Sequence, residues 1–313
     1  MNNYVATIDL GTNTFHILIA ELFDNQPFKT VYHERIPVMI GRGGINQGII
    51  TAEAIDRALA ALSQFKSTLN SYQIAPERMF CTATSAFRNA ENGKELVKRI
   101  KQETGIEVNI ISGDQEAEYI FYGVQEAVPL SDENALIMDI GGGSVEFILC
   151  NRSKIIWKQS FEMGAQRLLD QFDIQDPISQ ANITALQQHF SKTLQPLSEV
   201  IQQHHPEVLI GVSGTFDTLS DIHVLQNNVA VPPNATELPL TVEAFEKMLQ
   251  DFSHMNRSER LKIPGMIEMR VDMIVIAAWL IQFVLDTHSI YNIRISAYAL
   301  KEGLITQLVE RFS

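Results

Sequence analysis

Cysteine is scarce in this chain, with two in 313 residues, and neither a CxxC pair nor a Cys/His spacing suited to zinc occurs. A disulfide framework is therefore excluded. Cys81 and Cys150 each lie in or beside an apolar strand pattern and read as reduced core residues of a cytoplasmic protein. Positive charge is short as well: 24 Lys and Arg stand against 37 Asp and Glu, a formal net charge of −13. Partners such as nucleic acid or an anionic membrane want a basic surface, so the chain is not expected to bind either. No apolar run is long enough to span a bilayer. The most apolar one, residues 273–285, contains Gln282 and follows Asp272, which makes it a core helix. Asp9 interrupts the N-terminal apolar run and no basic segment precedes it, so no secretory signal is expected.

Several catalytic signatures are missing too. Without a GxxxxGK[ST] the chain is not a P-loop NTPase. The Gly-rich residues 40–46 lack the last glycine of a GxGxxG and do not lead from a strand directly into a helix, so they read as a loop and not as a dinucleotide site. Gly211-Val212-Ser213-Gly214-Thr215 stops one glycine short of a nucleophile elbow, which removes the serine hydrolases. His33, His204 and His205 show no HExxH or paired ligand spacing.

What is present is a 45% hydrophobic chain of mixed charge in which strand and helix patterns alternate, the mark of an α/β protein, here of two domains. Strands are predicted over residues 4–10, 15–23, 29–35, 78–83, 107–111, 154–161, 206–212 and 290–295. Helices are predicted over 51–72, 92–104, 176–203, 241–251, 258–262, 267–285 and 297–311. Residues 227–239 form a Pro/Asn-rich loop without periodicity.

The stretch that organises the rest is residues 137–149, IMDIGGGSVEFIL. Two buried strands flank Gly141, Gly142 and Gly143, whose backbone amides can lie bare against a phosphate. Asp139 leads into the turn, and Ser144 and Glu146 leave it, so two carboxylates and a hydroxyl gather where a divalent cation could neutralise that phosphate. The same grammar stands 130 residues earlier, where residues 9–19 align without a gap: Asp9 on Asp139, Gly11 on Gly141, Thr14 on Ser144, His16 on Glu146. A duplicated strand-turn-strand unit suggests two related domains sharing one ligand.

Other ligand-like positions lie just beyond predicted strands. Residues 82–88, TATSAFR, place Arg88 after one. Residues 213–216 start a helix with small residues, which makes Gly214 and Thr215 phosphate candidates. Residues 111–119, ISGDQEAEY, open a helix with Ser112 or Asp114 as cap and three acids in the first turn, where the helix dipole alone accounts for them.

Six motifs carry a family resemblance: DLGTNTFHILIAEL at 9–22, ATSAFRNAEN at 83–92, IISGDQEAEYIFYGV at 110–124, DIGGGSVEF at 139–147, FEMGAQRL at 161–168 and VSGTFDTL at 212–219. In this order they resemble the exopolyphosphatase / guanosine pentaphosphate phosphohydrolase (Ppx/GppA) family, in its short two-domain form. The resemblance implies two ribonuclease-H-like domains around a central cleft, as in actin, the sugar kinases and the Hsp70 ATPase domain. Boundaries of 1–121 and 122–313 are expected, with the closing helix able to pack back on the first domain. It further implies a cytoplasmic hydrolase that releases the terminal phosphate of inorganic polyphosphate or guanosine pentaphosphate with Mg2+ or Mn2+. A homodimer is left open.

Carried over by position, the glutamate of the family's SG-x-x-EA motif falls on Glu116, the candidate general base. Gln115 stands where the family often has a second glutamate. Thr12, Asn13, Thr14, Arg88, Gly141, Gly142, Gly143, Ser144, Gly214 and Thr215 become phosphate contacts. Asp139 and Glu146 become metal ligands, with Asp9 a further candidate. Arg270 reads as a phosphate contact or half of a buried ion pair, and Lys301 replaces the arginine of the family's closing LREG. Two other functions are carried forward: an ATP-dependent kinase of the same superfamily, and a non-catalytic sensor of guanosine tetra- or pentaphosphate.

Overall fold

The structure is a computed structural model that describes residues 3–23 and 26–312. It separates into two units, one running to Gly123 and completed by the stretch from Ala299 onward, the other Val124–Tyr298. Residues 122–313 are thus not one body, because the closing helix Leu300–Phe312 packs on the first sheet.

In the first unit, β1 (Tyr4–Leu10), β2 (Thr14–Phe23), β3 (Gln26–Pro37), β4 (Met79–Ala83) and β5 (Val108–Ile110) form a five-stranded sheet in the order β3-β2-β1-β4-β5. The first three are antiparallel neighbours, whereas β4 and β5 run parallel to β1. One face packs on the helices Ala52–Ser71 and Gly93–Thr104 around Phe15, Phe65 and Phe87. On the other face Val5, Leu18 and Ala20 meet Ile305 and Leu308 of the closing helix. Fully burying a leucine or isoleucine is worth about 1.5–3 kcal/mol, enough for those two side chains to dock that helix.

The second unit repeats this plan. Its strands are β6 (Ala135–Ile140), β7 (Val145–Cys150), β8 (Ile155–Phe161), β9 (Val208–Val212), β10 (Glu237–Leu238) and β11 (Ile293–Ser296), in the order β10-β11-β9-β6-β7-β8. Taken from the far edge, β8-β7-β6-β9-β11 reproduces the first sheet strand for strand, with the same antiparallel trio and the same parallel additions. This is the ribonuclease-H-like order, present twice. β10 is an antiparallel edge added within the Pro/Asn-rich loop. Every residue of β6 and β7 is buried, which is why both read as unbroken apolar runs apart from Asp139 and Glu146.

The core of this unit is the helix Met273–His288, buried on nearly all sides among the helices Ala165–Gln171, Gln180–Thr193 and Val242–His254. It starts six residues later than its pattern suggests, since turns occupy the preceding stretch. The single helix predicted over 176–203 is two, Gln180–Thr193 and Gln195–His204. Pro196 forces the restart, because a proline fits a helix only in its first turn. Both cysteines are free and buried; burial pushes the Cys150 thiol up to about 12 and raises Cys81 well above its ordinary value, so neither is a ready nucleophile. No helix among the described residues is long and apolar enough to cross a membrane.

Candidate active site

The two glycine turns are built alike. In each, the first glycine's amide donates to the carbonyl of the residue three later: Gly11 to Thr14 at 3.2 Å and Gly141 to Ser144 at 3.0 Å. The strands leaving the turns pair in the same register, Asp9 opposite His16 and Asp139 opposite Glu146. The gapless repeat in the sequence is therefore a repeat in space.

In the second unit the turn has a defined polarity. The carbonyls of Gly141, Gly142 and Gly143 accept from the amides of Ala165, Gln166 and Gly164 at 2.9, 3.0 and 3.1 Å, and Arg167 donates Nε to Gly143 O at 2.9 Å. The start of the helix Ala165–Gln171 thus absorbs the carbonyls. The amides of Gly142, Gly143 and Ser144 find no protein acceptor among the described residues. Such a row of outward amides is an anion-binding concavity. Gly164 makes this packing possible: a Cβ there would lie 2.4 Å from the Gly142 carbonyl carbon and 2.5 Å from the Gly143 nitrogen.

Asp139 and Glu146 lie side by side across the β6–β7 ladder, 8% and 1% exposed. A serine hydroxyl holds each one. Ser213 Oγ donates to Asp139 Oδ2 at 2.8 Å, and Ser160 Oγ donates to Glu146 Oε1 at 2.6 Å. Ser213 adopts φ of 65°, a left-handed conformation that is costly for a serine and that aims its hydroxyl at the aspartate. Two carboxylates fit the habit of Mg2+ and Mn2+, which take one or two of them and complete the shell with water and substrate oxygens. Beside this pair, Thr215 sends its hydroxyl to Ile140 O at 3.3 Å, tying the start of the helix Ser213–Asn227 to the end of β6. Gly214 is crossed by Arg270, whose Nη2 lies 2.2 Å from where a Cβ would stand.

In the first unit Thr12, Asn13 and Thr14 are buried, and Thr14 Oγ1 has no hydrogen-bond partner among the described residues. The Gly-rich loop braces this turn, with Met39 N donating to Asn13 O at 2.8 Å and Gly41 N to Thr12 O at 3.3 Å. Asp9 faces His16, not a second carboxylate, and His16 Nδ1 lies 3.3 Å from His33 Nε2 with the rings nearly parallel, at 6°. Desolvation, with the charges of Lys301 and Arg35, pushes His33 down to about 4, so its ring is neutral at neutral pH. The paired carboxylates of the second unit are thus not duplicated in the first. Among the described residues no group of three or more His, Cys, Asp or Glu side chains could hold a metal.

Glu116 lies in the first turn of the helix Gly113–Ala127, 7% exposed. Ser112 caps this helix rather than Asp114: Ser112 Oγ accepts from Gln115 N at 3.2 Å, and Gln115 Oε1 accepts from Ser112 N at 3.0 Å. Gln115, the departure from the family pattern, closes a capping box. Arg88 Nη1 donates to Glu116 Oε2 at 3.0 Å and to Ile111 O at 3.1 Å. The arginine expected on phosphate therefore fixes the rotamer of the candidate base.

The first unit gathers its turn, Arg88 and Glu116 just past the carboxyl ends of β1, β4 and β5. The second gathers its turn, Asp139, Glu146 and residues 213–215 around the carboxyl end of β6. These strand ends are the customary ligand side of α/β sheets. Sequence reasoning missed Gly164, Arg167, Ser160 and Ser213 as supports; FEMGAQRL and VSGTFDTL held three of them, but nothing in the spacing says which atoms they touch.

Comparison with known proteins places these features. Residues 18–312 match the Ppx/GppA phosphatase family. An exopolyphosphatase from Cytophaga hutchinsonii, known from its crystal structure, is 43% identical over 98% of both chains, with a TM-score of 0.94. The Aquifex aeolicus Ppx/GppA family member shares the fold at 23% identity and a TM-score of 0.79, covering 99% of this chain and 98% of its own. A bifunctional 3-dehydroquinate synthase/phosphatase from Fusobacterium nucleatum is 34% identical over 69% of this chain, which spans 34% of that longer protein. With the twin turns, the paired carboxylates and a family match across nearly all of its length, the chain belongs to the Ppx/GppA phosphatase family.

Proposed function

We propose that the chain hydrolyses the terminal phosphoanhydride bond of inorganic polyphosphate, with water as acceptor and Mg2+ or Mn2+ as cofactor. The observation that carries this reading is the Gly142–Ser144 turn, whose carbonyls are consumed and whose amides are left for an anion. The 43% identical exopolyphosphatase supports the choice of polyphosphate. Guanosine pentaphosphate ends in the same phosphoanhydride and is the second substrate of the proposal.

Each residue then has one task. The amides of Gly142, Gly143 and Ser144 bind the oxygens of the last phosphates and meet the charge that spreads over the transferred group. Asp139 and Glu146 would hold the cation, which supplies positive charge to the phosphate oxygens. Glu116 accepts a proton from water as the water oxygen bonds to the terminal phosphorus. The bond from that phosphorus to the bridging oxygen breaks, and its electron pair leaves with the shortened chain. Arg88 keeps Glu116 in place.

A phosphate-release panel over polyphosphates of several lengths, guanosine pentaphosphate and ATP tests the proposal. Release from polyphosphate with no acceptor present is expected. Phosphate transfer only to an added acceptor would identify a kinase, and tight binding without release a sensor; either overturns the reading.

A further inference from the structure

The helix Gly113–Ala127, which carries Glu116, is crossed by the closing helix Leu300–Phe312, and the two stretches that meet, up to Gly123 and from Ala299 onward, belong to the first unit. They touch backbone to backbone. A Cβ on Gly303 would lie 1.8 Å from the Tyr119 carbonyl oxygen and 3.0 Å from Gly123 N, and one on Gly123 would lie 2.1 Å from the Ala299 carbonyl oxygen. Only glycine permits so close an approach. Tyr119 stands one helical turn beyond Glu116, roughly 4.5 Å along the axis. A push on Tyr119 is therefore a push on the candidate base.

On its other side the closing helix is held to the first sheet along its length. Thr7 Oγ1 donates to Lys301 O at 3.1 Å, and Glu302, 4% exposed, closes the first turn by accepting from Ala299 N at 2.9 Å. Farther along, Ile305 and Leu308 pack on Val5, Leu18 and Ala20. The closing helix is thus the fixed side of the crossing, and added bulk displaces the helix Gly113–Ala127. Because a side-chain carbon does not approach a backbone oxygen within 3.0 Å, a methyl on Gly303 demands a shift of about 1.2 Å or more. Such a shift draws Glu116 away from Arg88, which the Ile111 carbonyl also holds, at 3.1 Å. A misplacement of about 1 Å at a reacting group costs about a hundredfold in rate.

We propose that Gly303 is a positioning residue for the hydrolysis: through its contact with Tyr119, the closing helix sets where Glu116 stands. Gly123 serves the same crossing from the other helix. This inference rests on the reading of Glu116 as the general base.

The test is a double-mutant cycle on phosphate release from polyphosphate, run on folded variants below their unfolding temperatures. Gly303→Ala should lower kcat about a hundredfold and leave KM within about twofold, because the phosphate-binding amides of Gly142, Gly143 and Ser144 belong to the second unit. In a Glu116→Gln background the same change should lower kcat by no more than about twofold, since the group through which it acts is already gone. A residue that only supports the fold would lower the rate equally in both backgrounds. Thr7→Val is the milder variant if Gly303→Ala does not fold: valine keeps the shape and loses the hydroxyl that holds the Lys301 carbonyl. It should lower kcat about threefold with Glu116 in place and not at all without it. The proposal is overturned by equal losses in the two backgrounds, by a rise in KM in place of the fall in kcat, or by parent-like kcat in whichever variant folds. Parent-like turnover of Glu116→Gln alone would reject the base and this proposal with it, whereas a large loss there with equal losses around the cycle rejects the crossing alone.

Discussion

Replacing Glu116 by glutamine tests the assignment of the base with little change in shape. Glutamine keeps an oxygen for Arg88 Nη1 and loses only the charge and the ability to take a proton. Removing a general base costs about 10²–10⁴ in rate, which at about 1.36 kcal/mol per tenfold is about 2.7–5.4 kcal/mol in activation free energy. The fold should lose less. Taking one partner from a fully buried ion pair costs about 3–5 kcal/mol, but here the side chains are 9% and 18% exposed for Glu116 and Arg88. Arg88 also keeps the Ile111 carbonyl at 3.1 Å. A loss of about 1–2 kcal/mol is expected, a fall in Tm of several degrees at roughly 2–4 °C per kcal/mol for a chain of this size class. The assay is the initial rate of orthophosphate release from a short polyphosphate at saturating Mg2+, with thermal unfolding run beside it. Near-complete loss of turnover in a folded variant is the expected result. Turnover within a few-fold of the parent would refute the role, and would leave Arg88–Glu116 as an ordinary structural pair.

Three further outcomes are expected. Gly164→Ala drives a methyl into the backbone of Gly142 and Gly143; overpacking of this kind costs about 1–3 kcal/mol, and kcat/KM should fall at least about tenfold because the amides lose their alignment, whereas parent-like kinetics would show that the turn is not the phosphate cradle. Ser160→Ala and Ser213→Ala each release one carboxylate, so the Mg2+ concentration for half-maximal rate should rise about tenfold or more, and an unchanged metal titration in both would remove Asp139 and Glu146 as ligands. Burial lowers the pKa of His288 from 6.5, and its Nε2 makes no hydrogen bond among the described residues. The unfolded chain then takes up this proton before the folded one does, so His288 adds stability above the ordinary histidine range that is lost as pH falls through it. A scan of Tm from neutral to mildly acid pH should show the parent losing ground to His288→Gln, and parallel curves would contradict this.

The parts legible in the sequence were those whose chemistry is local. Two aspartate-glycine turns with apolar flanks can hardly be anything but strand-turn-strand units, and their gapless alignment already contained the shared register of Asp9 with His16 and Asp139 with Glu146. The parallel strands were readable because their buried runs end in small residues. What stayed hidden depends on contacts distant along the chain. Ser213 reaches Asp139 across 74 positions, and only the fold brings them within hydrogen-bond distance. Arg88 reads as a phosphate contact because a basic residue after a strand suits an anion; its partner Glu116 lies 28 positions away, and the pairing of β4 with β5 brings the two together. The break at Leu194 was legible in Pro196, yet the long helical periodicity on either side outweighed it. The closing helix belongs to the first unit because Val5, Leu18 and Ala20 present an apolar face for Ile305 and Leu308, a match that alternation in β1 and β2 hints at but cannot assign.

The most direct measurement of the central claim is hydrolysis of a short polyphosphate by the purified protein with Mg2+ in water enriched in oxygen-18, with no other acceptor present. Terminal hydrolysis by water predicts orthophosphate carrying one heavy oxygen per molecule released and a chain shortened by one unit at a time. Absence of release from a folded protein, or orthophosphate without the label, would contradict it.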